Sequence, residues 1–545
     1  MLIFKKNNMK RINQFTNLKW IFFISAILTL GACSLDIEPK DDDEFTNADF
    51  YANPNSYKQF LGKIYGGLAV TGQQGPAGQS DLGPGIDEGF SQYLRGYWQL
   101  QELTTDEAII AWGESQNPTI KNLNFNTWDA DNIFAEAFFA RVFFQIGLCN
   151  EFLRETTDSK LDERGVSGTL RNDIARYRAE VRFLRALSYY HGIDIYGKMP
   201  YGTDEDPLGT PPQMKTRDFV FNYILSELAL IDGQLAAPRT NEYGRVDQVA
   251  GWMLKAKLLL NSNVYTGVDR SSEALIAVNQ VIASPYSIAL IPYANLFKAD
   301  NNTNGAQNEF IFPINFDGQN TKTFGGMTYL IHAGCTNDVG TTLGIDFGWQ
   351  GYRVRKEFTE RVGNTDSRVM YVAGDSSPAA ITDYSVFAQG KKLTKFSNKK
   401  SDGSNGVDQT FPDTDFPMFR MADAYLMYAE LAFVNGKGSN AVALGYLNDL
   451  RTRAGMTTIS ALSDLAIPNY SSPADIILAE RGRELYWEGH RRQDLIRLGK
   501  YLSDYNWQWK GGSQSGTTLS PNKLLFAIPR KQISSNPNLT QNPGY

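Results

Sequence analysis

The chain has 545 residues, 42% of them hydrophobic and 21% charged, with a formal net charge of −6. That composition excludes a fibrous or largely disordered chain, and the length calls for several domains or one large repeat-built body. A mildly acidic protein has no electrostatic footprint for phosphate backbones, so nucleic acid is excluded as the principal partner.

The first element is an address. Residues 1–19 carry Lys5, Lys6, Lys10, Arg11 and Lys19 and no acid. The apolar run from Trp20 to Leu30 is too short for a bilayer span, which needs about 20 residues. A basic head, a short apolar segment and small residues at its end make a secretory signal, starting from Met1 or Met9. Leu30-Gly31-Ala32-Cys33 is similar to the lipobox of bacterial lipoproteins, in which the cysteine takes lipid such as palmitate and becomes the new N-terminus. Several acyl chains hold firmly, since each buried CH₂ contributes about 0.8 kcal/mol. Residues 1–32 are therefore expected to be the signal and 33–48 a lipidated tether. The acids Asp36, Glu38, Asp41, Asp42, Asp43 and Glu44 resemble an export signal to the cell surface.

Residues 49–545 are expected to form one mainly α body. In RNDIARYRAEVRFLRALSYYHGIDIYG, Ile174, Tyr177, Val181, Leu184 and Leu187 fall at the spacing of one buried helix face. Arg176, Arg178, Arg182 and Arg185 lie elsewhere on the helix, and Gly192, Gly197 and Pro200 end it. A second helix carries Val249, Met253, Ala256 and Leu260 in a row, followed by SEALIAVNQVIAS. FPMFRMADAYLMYAELAF and NAVALGYLNDLRTRAG make a later pair. Small residues Ala256, Ala429 and Ala432 allow close approach. Helix pairs of this length are the unit of tetratricopeptide-like arrays, here degenerate in consensus.

Between the pairs lie long irregular stretches, 66–98 and 298–412, studded with aromatics. Loops of that length are functional or disordered, and the rings argue for order. In ADNNTNGAQNE, Asp300, Asn302 and Glu309 supply oxygens suited to calcium, though a polar turn explains them equally well.

The cysteines Cys33, Cys149 and Cys335 are too few for a disulfide framework. Histidine chemistry falls to His191, His332 or His490, and no CxxC or HExxH occurs. In ERGRELYWEGHRRQDLIRLG, Glu480, Arg483, Glu484, Glu488, His490, Arg491 and Asp494 read as ion pairs and helix contacts rather than a catalytic set.

That signature, together with RMADAYLMYAELAF, YLNDLRTRAG, AEVRFLRALSYYHGIDIYGKMPY and the ending FAIPRKQISSNPNLTQNPGY, resembles the SusD/RagB family of surface nutrient-binding lipoproteins of Bacteroidetes. Loop segments such as VTGQQGPAGQSDLGPGIDEGF, ELTTDEAIIAW, FGGMTYL and FPDTDFPMFR are similar to a starch-binding member. The resemblance implies a non-catalytic protein on the outer membrane, facing outward. It would take starch or malto-oligosaccharides and work beside a TonB-dependent, SusC-like transporter, with no cofactor required. A fructan, a β-glucan or peptides are the alternative ligands, and a glycoside hydrolase, needing two carboxyls about 5 to 9.5 Å apart, is the rival class.

Sugar rings need aromatic plates for their C–H faces and fixed polar groups for their hydroxyl rims. The resemblance assigns Trp112 as one plate and Phe324 as a second, replacing a tyrosine. The third falls on Ile345, with Trp349 the nearest ring if the loop shifts. A further tryptophan of the relative is replaced by Ile110. The resemblance also assigns Arg95 to ring hydroxyls; beyond Trp112, GESQNP is spaced differently from the relative, and Gln116 or Asn117 is the candidate for the rim contact there.

Overall fold

The computed structural model describes residues 46–545 except 77, 116, 364 and 504. The signal, Cys33, the tether acids and Gln116 lie outside the described residues. Two units divide between Pro54 and Asn55. The described part of the first carries the helix Asn47–Ala52, closed by a reciprocal capping box between Thr46 and Asp49.

The second unit is mainly helical. Its principal helices are α1 (Ser56–Ala69), α2 (Tyr93–Glu102), α3 (Ile133–Glu155), α4 (Gly168–Tyr196), α5 (Arg217–Ile231), α6 (Gln248–Leu260), α7 (Ser271–Ile282), α8 (Gly326–His332), α9 (Met421–Phe433), α10 (Asn440–Arg453), α11 (Pro473–Glu484) and α12 (Arg491–Arg497). Chain neighbours pack on one another: α3 on α4, α4 on α5, α6 on α7, α9 on α10. Helix α7 also meets α9, which joins the earlier helices to the later ones.

Local chemistry starts and stops these helices. Asn132 and Asp247 accept from the first free backbone N–H groups of α3 and α6. Ser472, Pro473 and Asp475 open α11 with a capping box and a proline in its first turn. The predicted face of α4 is buried at Ile174, Tyr177, Val181, Leu184 and Leu187. Two details differ from expectation. Gly192 lies inside α4, where a Cβ would come within 2.5 Å of the Met199 side chain, so it serves close packing. Gly197, at φ 77°, is the residue that ends the helix. Arg185, read as lying off the buried apolar face, is itself buried between Asp204 at 2.7 Å and Glu227 at 2.9 Å.

Helix α3 is long and apolar enough to cross a bilayer, but much of it is buried in the fold against α4, as a core helix requires. Strand content is small: β1 (Ala108–Ile110) pairs with β5 (Tyr352–Val354), β2 (Met199–Tyr201) with β3 (Gln213–Lys215), and β4 (Phe310–Ile314) with β6 (Phe416–Arg420), all antiparallel. The irregular stretches are shorter than expected, because α1 runs to Ala69, α2 begins at Tyr93, and α8 interrupts the second.

The C-terminal signature is interior. Glu484 accepts from Arg420 at 2.8 Å, from Arg368 at 3.3 Å and from Arg453. Glu488 takes Arg420 at 2.6 Å and Lys395 at 2.7 Å, and Asp106 takes Arg361 and Arg491, each at 2.6 Å. Guanidinium neighbours outweigh burial and hold Glu480 and Asp494 down at about 2. His490 accepts at Nδ1 from Lys257 across 3.2 Å and burial depresses it to about 3, so it is a neutral core histidine.

Candidate functional site

The β1–β5 pair builds the site. Ile110 is paired with Tyr352, and the ladder continues as the Ala111 N–H donates to the Gly351 carbonyl at 2.8 Å. That places Trp112 beside the segment 349–351. The indole N–H of Trp112 donates to the Trp349 carbonyl at 3.0 Å. Gly351 makes the approach feasible, since a Cβ there would come within 2.8 Å of the Trp112 ring.

Trp349 is fixed from the other side. Carbonyls at the end of α8 have no partner within the helix. They are taken by the following segment: Trp349 N–H to His332 O at 2.7 Å, Gln350 N–H to Cys335 O at 3.0 Å, and Gly351 N–H to Ala333 O at 2.7 Å. Gly348 is required beneath, where a Cβ would meet the Cys335 carbonyl at 2.3 Å. Trp349, rather than Ile345, therefore stands beside Trp112. Ile345 is buried instead, as is Ile110 within β1.

Phe324 arrives from the turn before α8. Buried Glu88 accepts from the Thr323 hydroxyl at 2.7 Å, the Phe324 N–H at 3.1 Å and the Thr71 hydroxyl at 2.5 Å, tying two loops together. The Phe324 and Trp349 ring centroids are 6.4 Å apart at 52°, and those of Trp112 and Trp349 are 6.4 Å apart at 41°. Trp349 thus stands between the other two. Phe324 is 37% exposed, and both tryptophans are half-buried.

Arg95 sits beneath this row. It is only 4% exposed, with its guanidinium 4.4 Å from the Tyr329 centroid, 4.8 Å from Phe90 and 5.9 Å from Trp112. One Nη donates to the Phe324 carbonyl at 3.3 Å, while its buried Nε has no hydrogen-bond partner. Burial holds its pKa below the ordinary value, and burial pushes the Tyr329 hydroxyl up to about 12. The side chain underpins the plates rather than standing at an open rim. Asn117 lies half-buried in the loop that follows Trp112.

The calcium set expected from Asp300, Asn302 and Glu309 is not assembled. Both oxygens of Glu309 are taken, by Arg420 at 2.9 Å, Arg453 at 2.9 Å and the Ala289 N–H at 3.0 Å. Asp300 accepts from the Ser401 N–H at 2.9 Å and from Asn304 at 3.1 Å, the work of a polar turn. Among the described residues, no group of three or more His, Cys, Asp or Glu side chains is placed to hold a metal.

Sequence reasoning missed the supports and neighbours of the row. His332 lies under Trp349, ring to ring at 5.0 Å and 32°. Phe347 and Phe411 flank it, Phe347 at 6.4 Å from Trp349 and Phe411 at 5.6 Å from Phe324. The aromatic-glycine-aromatic run Phe347-Gly348-Trp349 was the available signal. Glu88 and His332 gave none, because their partners are remote in sequence.

The mainly helical body has solved counterparts. A surface glycan-binding protein A from Bacteroides thetaiotaomicron, solved with laminarihexaose, superposes with a TM-score of 0.67 at 22% identity, covering 89% of this chain and 98% of that one. A laminarin-binding SusD-like protein gives 0.63 at 18%, covering 90% and 99%. At such identities these share the fold. The SusD family model matches residues 319–545. The starch-binding protein SusD of Bacteroides thetaiotaomicron is 32% identical over 98% of this chain and 99% of its own length, and SusD-like protein P25 of Formosa agariphila is 26% identical over 67% and 73%. The chain belongs to the SusD family.

Proposed function

We infer that this protein is a non-catalytic, cell-surface glycan-binding lipoprotein. It captures starch or malto-oligosaccharides and passes them to a TonB-dependent outer-membrane transporter. One observation carries the reading: loops distant in sequence bring Trp112, Trp349 and Phe324 into a row of half-exposed, mutually tilted rings. Aromatic faces of this kind stack on the C–H faces of sugars. Neighbouring rings tilted by 41° and 52° suit a chain that curves, as an α-glucan does, better than a flat one. The starch-binding relative, aligned along almost the whole chain, supports the same polymer. Cys33 and the acids behind it support lipid attachment and surface display.

A second reading keeps the protein and changes the glycan. One structural neighbour was solved with laminarihexaose and another is a laminarin-binding SusD-like protein, and a β-1,3-glucan also curves. Purified protein run through native gels containing amylopectin, laminarin or levan separates these readings. Retardation by amylopectin above the others is expected, and retardation by laminarin or levan alone overturns the starch assignment. Incubation with starch should release no reducing ends. Their release at enzymatic turnover would replace binding with hydrolysis.

A further inference from the structure

We propose that the binding face extends beyond Trp112, Trp349 and Phe324 to two outer plates, Phe347 and Phe411, which take additional sugar units of a longer chain and whose positions are set by one buried imidazole, His332. This rests on the glucan-binding reading above.

The outer rings repeat the geometry of the inner ones. Phe347 stands 6.4 Å from Trp349 at 45°, and Phe411 stands 5.6 Å from Phe324 at 49°. Inner spacings are both 6.4 Å, with tilts of 41° and 52°. Phe347 is 44% exposed, an apolar ring left facing water beside the row. Polar groups edge both outer plates. The Lys322 ammonium lies 5.5 Å from the Phe411 centroid and 3.4 Å from Asp408, and exposed Asp346 accepts from the Phe347 N–H at 2.9 Å and the Thr410 hydroxyl at 2.5 Å. These are partners for ring hydroxyls of the kind a sugar site requires.

His332 joins the two loops. Its Nδ1 is 2.7 Å from the Phe347 carbonyl, and its Nε2 is 3.0 Å from the carbonyl of Thr410, the residue before Phe411. The side chain is fully buried and lies under Trp349. Both partners are carbonyl acceptors, so the neutral ring donates to one of them and packs against the other; it donates to both loops only as the imidazolium, which Asp346 at 3.7 Å from Nδ1 favours and burial opposes. It touches no solvent and is a positioning residue.

The test is calorimetric titration with a trisaccharide and a heptasaccharide of the maltose series, and of the laminarin series in parallel. The wild-type protein is expected to bind the heptasaccharide of its preferred series about tenfold or more tightly than the trisaccharide, the scale of one aromatic hot spot. The double variant F347A/F411A, altered only at rings in surface loops, brings the two affinities within about threefold while trisaccharide binding holds. His332→Phe, which keeps a ring but donates no hydrogen bond, does the same, and His332→Gln restores part of the length advantage. A double variant that keeps the full advantage overturns the outer plates, as does one that loses both affinities equally. Trp349→Ala tests the inner row separately: it loses both ligands if the glucan reading holds. Normal binding by Trp349→Ala, or no binding by the wild type in either series, overturns that reading and the outer plates with it.

Discussion

Trp112 lies where it does because Gly351 has no side chain. A Cβ at 351 would come within 2.8 Å of the indole and 3.0 Å of the Ala333 carbonyl, and the half-exposed ring is the part free to move. Gly351→Ala is therefore expected to weaken glucan binding about tenfold, the cost of misplacing one aromatic hot spot, while the melting temperature changes little. Titration beside a thermal melt checks both halves; unchanged affinity would remove Trp112 from the site. The motifs singled out Trp112 and Phe324 in the sequence. Trp349 was not decided there, because its position depends on N–H groups of residues 349–351 finding carbonyls at the end of α8. The burial of Arg95 was hidden for a related reason: Tyr329 of α8 and the Phe324 carbonyl just before it, which cover and engage the guanidinium, are remote in sequence. Glu309 failed as a metal ligand because Arg420 and Arg453 reach it from far along the chain.

At the scale of elements, helices were legible because their signals are local. Periodicity gave the face of α4, and caps or glycines mark the ends of several helices. The short strands were not, since three to five residues carry little pattern and β1 and β4 find their partners far along the chain, past several helices. The turn into β6 offers a test of such long-range packing. Asp415 accepts from the Phe316 N–H at 2.8 Å and the Tyr243 hydroxyl at 2.9 Å, and burial raises its pKa from 3.8 to about 7. Between those values the folded protein holds a proton that the unfolded chain releases. Its contribution is present in full below about pH 4 and declines as pH rises through 7. Asp415→Asn, neutral at every pH, is expected to flatten that part of the stability profile. Urea unfolding from pH 4 to pH 8 reads the slope; an unaltered slope in the variant would show that Asp415 does not titrate there.

At the scale of the whole molecule, the buried ion pairs and the aromatic row are separate sets of residues. The Glu484 and Glu488 clusters tie α11 and the segment after it to β6, and the Asp106 cluster ties α12 to the segment before β1. Breaking one such buried pair leaves an unmatched guanidinium and costs about 3–5 kcal/mol. Glu484→Gln is expected to lower unfolding stability by that amount, read by denaturant titration, while the folded fraction binds glucan normally. A stability change below about 1 kcal/mol would show that the network relaxes around the loss. The sequence revealed this division in outline, since a motif dense in Glu and Arg with interleaved Leu and Trp is built for an interior. Which aromatic loops converge at the surface was visible only once the fold had joined them.

The central claim is that Trp112, Trp349 and Phe324 together hold a glucan. Native electrophoresis through amylopectin, wild type beside Trp349→Ala, tests it most directly, because Trp349 is the ring between the other two. The wild type should be strongly retarded, and the variant should run close to its mobility in a gel without polysaccharide, a loss of about 2 kcal/mol or more in binding. Equal retardation of the two proteins, with the variant folded, would contradict the account.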